Sequence, residues 1–236
     1  MPDILIADDH PLFRDALERA VRIALPEATL HSAVDVHRLL ELIEAFPDAD
    51  LLLLDLHMPG APGYTALAHI RGQYPGLPVI VISAHEEVSV ARRTLAYGAA
   101  AYVPKSTSAA DIVAAIHSVL AGDVWLPETW VGSNVELKPG EINAAERIAT
   151  LTPQQFRVLA MLAEGKLNKQ MAWEMGVSEA TIKAHMTAVM RKLGVNNRTQ
   201  AALIASELAL ESEPLGAASV DIQAIESVDL TQPSIL

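Results

Sequence analysis

Short, uninterrupted apolar runs punctuate the first half of the chain: Ile4-Leu5-Ile6-Ala7, Leu51-Leu52-Leu53-Leu54 and Val79-Ile80-Val81-Ile82. None alternates apolar with polar residues, which is the pattern of strands covered on both faces, as in a parallel sheet. Ala28–Ala33 and Ala100–Val103 are weaker runs of the same kind. Between them lie stretches whose apolar residues recur at helical spacing: Leu12, Phe13, Ala16, Leu17, Ala20 and Val21; then Leu39, Leu40, Leu42, Ile43 and Phe46; then Ile112, Ala115, Ile116, Val119 and Leu120. Each set fits one face of a helix. Five strands alternating with helices predict an α/β doubly wound (βα)5 domain over residues 1–122.

From Gly122 to Thr150 the periodicity fades, and residues 123–150 read as a linker with a short helix near Ala144–Ile148. From Leu151 the pattern is purely helical. Thr152 is placed as an N-cap, Pro153 at the first helical position and Gln155 as the partner in a capping box, while Leu151 and Phe156 have the spacing of a hydrophobic staple. Gly165 breaks this helix, Asn168 is placed as the cap of a second, short helix through Met175, Gly176-Val177 makes a turn, and Ser178 caps a third helix to Leu193. Two short helices around a glycine-containing turn form a helix-turn-helix, so an all-α domain is expected over residues 151–210. Residues 211–236, acidic and rich in small residues, are expected to be a loosely ordered tail.

Charge sharpens this division. The net charge is −12, which argues against a nucleic-acid partner until its distribution is seen. Residues 1–122 carry 8 Lys/Arg and 15 Asp/Glu (net −7), residues 123–150 carry 2 and 5 (−3), residues 151–210 carry 7 and 4 (+3), and residues 211–236 carry 0 and 5 (−5). The one basic segment is a candidate polyanion site. Cysteine is absent, so a metal would need oxygen or histidine ligands. No apolar run approaches the ~20 residues of a membrane helix, and Met1-Pro2-Asp3 leads directly into a strand without the features of a signal peptide. A cytoplasmic protein is expected.

Doubly wound sheets place functional residues at the carboxyl ends of their strands. Asp8 and Asp9 follow the first strand, Asp55 the third, Ser83 the fourth and Lys105 the fifth, and all five are expected to converge. At ~4 Å and an effective dielectric near ~20, each carboxylate pair repels by on the order of 4 kcal/mol. A hard divalent cation relieves that repulsion, and Mg²⁺ favours carboxylates with waters and a phosphate. The alternative reading of the acid pair is a solvated loop with Asp9 as a helix N-cap ahead of Pro11. His10, His57 and His85 flank the same edge, and none is assigned a side-chain metal contact, because Mg²⁺ disfavours imidazole.

The runs Ile6-Ala7-Asp8-Asp9-His10, Leu53-Leu54-Asp55-Leu56-His57-Met58-Pro59-Gly60, Val81-Ile82-Ser83-Ala84 and Ala101-Tyr102-Val103-Pro104-Lys105 make residues 3–121 resemble the receiver domain of a two-component response regulator. The resemblance implies that Asp55 accepts a phosphoryl group from a histidine kinase. It further implies Mg²⁺ held by Asp9, Asp55 and the carbonyl of His57, assisted by Asp8. Lys105 and Ser83 would hold the phosphoryl group, and Tyr102 would turn inward behind it. Apart from its own phosphoryl transfer and dephosphorylation, such a protein is not an enzyme. The chain departs from the family in having Ser106 after the lysine, where proline is common, and Pro104 before it.

In the third C-terminal helix Ile182, Met186, Val189 and Leu193 share one face, and Ala180, Lys183, Ala184, Thr187 and Arg191 lie toward the other. Cations and short side chains on an outer face suit entry into the major groove, and equally a solvated bundle face. The runs Leu151-Thr152-Pro153, Val158-Leu159, Glu164-Gly165-Lys166, Asn168-Lys169, Val177-Ser178, Ala180-Thr181-Ile182-Lys183, His185, Arg191-Lys192-Leu193-Gly194-Val195 and Asn197-Arg198-Thr199-Gln200-Ala201 make residues 151–208 resemble the LuxR-type helix-turn-helix of the NarL/FixJ class. That resemblance implies double-stranded promoter DNA as a partner, contacted by Lys183 and Thr187 with Lys169, Lys192 and Arg198 on phosphates. It also implies a homodimer contact through Ala202 and Leu203. Trp173 stands where a smaller aliphatic residue is expected.

Two other readings compete. A metal-dependent phosphohydrolase with an Asp nucleophile needs Asp-x-Asp after its first strand, whereas here the two acids are adjacent. A receiver that serves only as a ligand or dimerisation module would have no need of the full Asp8, Asp9, Asp55, Ser83 and Lys105 set.

Overall fold

The apolar runs form strands because their residues are covered on both sides. The computed structural model describes residues 1–61, 63–127, 130 and 139–208. Strands β1 (Asp3–Ala7), β2 (Thr29–Ala33), β3 (Leu51–Asp55), β4 (Val79–Ser83) and β5 (Ala101–Pro104) make one parallel sheet in the order β2-β1-β3-β4-β5. Every residue of β3, β4 and β5 is buried. Successive side chains point to opposite faces. Ile4, Ile6, Leu51, Leu53, Ile80 and Ile82 therefore pack beneath helices α1 (Pro11–Ala24) and α5 (Ala109–Leu120), through Phe13, Leu17, Ile112 and Ile116. Leu5, Leu52, Leu54, Val79 and Val81 pack on the other face against α2 (Val36–Ala45), α3 (Thr65–Gln73) and α4 (Val88–Ala96).

The short helix expected near Ala144–Ile148 within the 123–150 connection is present and longer than expected. Residues 139–149 form α6 (Pro139–Ala149), and Ala144 and Ile148 of this helix are buried. Residues 128–129 and 131–138 lie outside the described residues, as does the expected acidic tail at 211–236. The remaining helices are α7 (Pro153–Ala163), α8 (Asn168–Glu174), α9 (Glu179–Leu193) and α10 (Arg198–Glu207). The Thr152–Gln155 capping box is present, and Ser178 and Asn197 cap α9 and α10. At α8 the expected cap shifts by one residue. Leu167 is the cap position, its N–H donates to the Gln170 side chain at 2.8 Å, and Asn168 is the first helical residue. Asp9 is likewise not a helix cap, since that position falls to His10.

The C-terminal helices sit directly on the receiver half. Helix α6 lies along α3, so close that a Cβ on Gly72 would stand 2.7 Å from the Cα and carbonyl oxygen of Ala149. Gln73 Nε2 donates to the Ala149 carbonyl at 2.7 Å, Thr65 Oγ1 to the Ala205 carbonyl at 3.2 Å, and the Tyr64 N–H to the Leu208 carbonyl at 2.9 Å. In the middle of this contact the fully buried His69 ring stacks on Phe156, 4.0 Å between centroids and 3° from parallel.

Burial holds His69 neutral and pushes its pKa from 6.5 down to about 4, opposed only in part by the Ile148 backbone. The unfolded chain takes up this proton near pH 6.5 and the folded chain only near pH 4, so the stability tied to neutral His69 is intact above pH 6.5 and falls as pH drops through that window. Between about pH 7 and about pH 5 the loss should be about 2 kcal/mol. Denaturant unfolding at the two pH values should show a loss smaller by that amount in His69→Phe, which keeps the stack and cannot titrate.

Candidate functional site

Parallel register brings the carboxyl ends of β1, β3, β4 and β5 to one edge, with Asp55 beside Ile82 and Ser83 beside Pro104. Asp8, Asp55 and Ser83 are buried there, and Asp9 is half-buried. The Lys105 ammonium sits between two of the acids, 2.8 Å from Asp8 Oδ2 and 2.8 Å from Asp55 Oδ2, with its charge 4.7 Å above the Phe13 ring. Backbone amides fix the opposite oxygens: His10 N–H donates to Asp8 Oδ1 at 2.8 Å and His57 N–H to Asp55 Oδ1 at 3.0 Å. The Lys105 N–H donates to the Ser83 carbonyl at 2.7 Å, which ties the lysine loop to β4. The five residues expected at strand ends are thus brought together.

Burial raises the Asp8 pKa, with Lys105 pulling the other way. Burial also works against the charge on Lys105, but Asp55 and Asp8 outweigh it and raise the lysine pKa. The ammonium is aligned for a hydrogen bond to Asp55 and meets Asp8 Oδ2 as an ion pair, while Asp9 Oδ1 lies 2.7 Å from His10 Nδ1; both oxygens are buried, and neither accepts an aligned hydrogen bond. Ligand atoms of Asp8, Asp9, His10 and Asp55 lie within 4.8 Å of one another. Hard oxygen donors with unused lone pairs around a net negative centre fit a divalent cation such as Mg²⁺.

Tyr102 is fully buried, and its hydroxyl donates to the His85 carbonyl at 2.7 Å. The inward position expected of it after phosphorylation is therefore already taken in this structure. Burial raises its pKa well above the ordinary tyrosine range.

At the other end of the chain, Ile182, Met186, Val189 and Leu193 of α9 are buried, and Lys183, Ala184, Thr187 and Arg191 are exposed. Helices α8 and α9 are joined through Gly176 at φ +64 and the Ser178 cap. Lys169 is exposed. Lys192 and Arg198 are instead engaged internally, Lys192 Nζ donating to the Thr150 carbonyl at 2.6 Å and Arg198 Nη2 to the Lys166 carbonyl at 2.9 Å. On α10 Leu203 is exposed and Ala202 half-buried, while Ala201, Ile204 and Ala205 face inward. Trp173 is 84% exposed at the rim of a cavity of about 420 Å³ between α2 and α7–α8.

Comparison with known proteins agrees with both halves. The response regulator receiver domain matches residues 4–117, and the luxR family of bacterial regulatory proteins matches residues 149–205. The glycerol metabolism activator of Pseudomonas putida is 36% identical over 215 residues, covering 88% of this chain and 96% of that protein. The nitrate/nitrite response regulator NarL of Escherichia coli K12 is 30% identical over 203 residues, covering 85% and 93%. The chain is a response regulator of the NarL/FixJ class. Among solved structures, this response regulator is similar to RcsB in a structure of two RcsB dimers bound to two parallel DNAs, with 25% identity and a TM-score of 0.50 over 89% of this chain and 99% of that one. The response regulator thus has a receiver and a DNA-binding half. No helix among its described residues is long and apolar enough to cross a membrane.

Lys105→Met in the regulator leaves Asp8 and Asp55 facing each other without their shared cation. Breaking a buried ion pair from one side should cost about 3–5 kcal/mol. Chemical unfolding near neutral pH would read that loss, and added Mg²⁺ should recover part of it if the cation occupies the same carboxylates.

Proposed function

We propose that residues 1–122 receive a phosphoryl group on Asp55 from the phosphohistidine of a histidine kinase, that residues 151–210 bind promoter DNA, and that residues 123–150 connect the two, with α6 mediating the contact. The observation that carries this reading is the Lys105 ammonium, 2.8 Å from both Asp8 and Asp55 at the strand ends. A carboxylate oxygen of Asp55 attacks phosphorus, the P–N bond breaks as the P–O bond forms, and the imidazole leaves with its electron pair. Lys105 Nζ and Ser83 Oγ hold the equatorial oxygens. Asp8, Asp9, Asp55 and the His57 carbonyl would hold Mg²⁺, which supplies the positive charge that lets two anions approach. Tyr102, packed behind Ser83, senses the rearrangement. The protein works in the cytoplasm, where the kinase domain and the DNA are found.

For DNA, Lys183 and Thr187 reach the groove and Lys169 a phosphate. Lys192 and Arg198 join them on giving up their carbonyl partners, and a second copy docks through Ala202 and Leu203 of α10. The net charge of this segment, +3, is small, so two copies on one site gain the effective concentration that a single copy lacks. Masking of the recognition face by the receiver is not the control device, because that face is exposed. Instead the receiver fixes the position of α6, α7 and α10, and phosphorylation loosens that hold so that two DNA-binding halves can align.

Two measurements test this reading. A small phosphodonor with Mg²⁺ should label Asp55 alone, as located by mass spectrometry, and labelling should vanish in Asp55→Asn and in excess chelator. The full chain should bind duplex DNA more tightly after labelling, with a logarithmic salt slope of roughly −0.9 per phosphate contact. Lys183→Ala should weaken binding at every salt concentration. A label on another residue, or equal binding with and without phosphate, contradicts the corresponding half.

A further inference from the structure

Strands β3 and β4 are neighbours, and each is followed at the same offset by a histidine: His57 two residues after Asp55, and His85 two residues after Ser83. Both histidines sit on equivalent turns. The His57 N–H donates to Asp55 Oδ1 at 3.0 Å and the His85 N–H approaches Ser83 Oγ at 3.3 Å. The turns carry the two rings to one place, with centroids 4.9 Å apart and planes inclined by 29°. The Nε2 atoms converge to 3.2 Å, while the Nδ1 atoms face carboxylates, His85 Nδ1 3.4 Å from Glu87 Oε2 and His57 Nδ1 3.9 Å from Asp55 Oδ1.

We propose that His57 and His85 form a binding site for an imidazole-preferring divalent transition ion of the Zn²⁺ type, at the mouth of the acidic site, through ring nitrogens that the carboxylate site does not use. Two nitrogens on one tetrahedral Zn²⁺, at bond lengths of about 2.0–2.1 Å, lie about 3.3–3.4 Å apart. The observed 3.2 Å needs almost no adjustment. Carboxylates behind metal-binding imidazoles fix the ring and its tautomer, and Glu87 stands in that position for His85. Before binding, one ring donates its Nε2 proton to the other. On binding, that ring changes tautomer through solvent, losing the Nε2 proton and gaining one on Nδ1, whose N–H faces a carboxylate, so both rings stay neutral and both Nε2 lone pairs point at the ion. Solvent completes the coordination. The two cation sites select by donor type: oxygen for a hard ion at Asp8, Asp9 and Asp55, nitrogen for a softer one at the pair.

The consequence, which rests on the Asp55 reading, is competition. The ion would sit on Nε2, one ring-width beyond the Nδ1 atom that lies 3.9 Å from Asp55 Oδ1, and its charge and bound waters at this rim obstruct the approach of a phosphodonor, which gives the receiver a second chemical input.

The test is a Zn²⁺ titration of the full chain in saturating Mg²⁺, followed by calorimetry and by ¹⁵N-resolved spectra of the histidine rings. One ion per chain should bind, shifting the ring nitrogens of His57 and His85. His57→Asn and His85→Gln should each abolish binding while the unfolding midpoint stays unchanged, and His10→Asn should retain it. No binding by the native chain overturns the proposal. So does binding that survives both single substitutions or disappears in His10→Asn, since the ion then belongs to the carboxylate cluster. In a separate arm, Zn²⁺ should slow labelling of Asp55 in the native chain and not in His85→Gln. Equal slowing in both overturns the competition, and an absence of labelling without Zn²⁺ counts against the Asp55 reading instead.

Discussion

A single ammonium between two buried carboxylates organises the carboxyl edge of the sheet. Asp8 and Asp55 are placed by paired strands, Ala7 of β1 beside Leu54 of β3, and their Oδ1 atoms are held by the His10 and His57 N–H groups, so both acids are fixed at one edge. Lys105 offsets one of the two charges, and with Asp9 nearby the centre remains net negative. That residual charge distinguishes the edge from a closed salt bridge: oxygen donors of Asp8, Asp9 and Asp55 remain together around a net negative centre, which suits a divalent cation. The Ser83 carbonyl holds the lysine loop in place, which couples the chemistry to the strand beside it.

The strands were legible because both faces of the sheet are covered, and the runs at Leu51–Leu54 and Val79–Ile82 carry that fact without interruption. The convergence of Asp8, Asp9, Asp55, Ser83 and Lys105 followed from topology alone. Helix α6 was legible only as a short helix near Ala144–Ile148; its full length from Pro139 was not, since only Ala144 and Ile148 of its residues are buried and so short an apolar pattern marks no more than one turn. The cap of α8 was misplaced because Asn168 is the better capping side chain, yet Gln170 reaches back to Leu167 and sets the start one residue earlier. The inward pose of Tyr102, the internal partners of Lys192 and Arg198, and the meeting of His57 with His85 all depend on tertiary distances between segments, which local pattern does not encode.

The contact between the halves is made from the same apolar material as the cores. The two cores run together through Leu67, Ile70, Ile148 and Phe156, with the His69 ring stacked on Phe156 at the centre of that contact. The receiver therefore contacts α6, α7 and α10, and the outer face of α9, with Lys183, Ala184, Thr187 and Arg191, stays exposed.

Gly72 gives this arrangement a further property. Where α3 and α6 pass at backbone distance, close packing and the Gln73–Ala149 hydrogen bond hold them, and such contacts are hardly screened by dissolved ions. The grip of this regulator on DNA, by contrast, is released ion by ion as salt rises. The two contacts thus depend on dissolved ions to different degrees: rising salt weakens attraction to the phosphates directly, while between the halves it reaches the Arg93–Glu141 and Arg157–Glu44 pairs and leaves the packing at Gly72 in place.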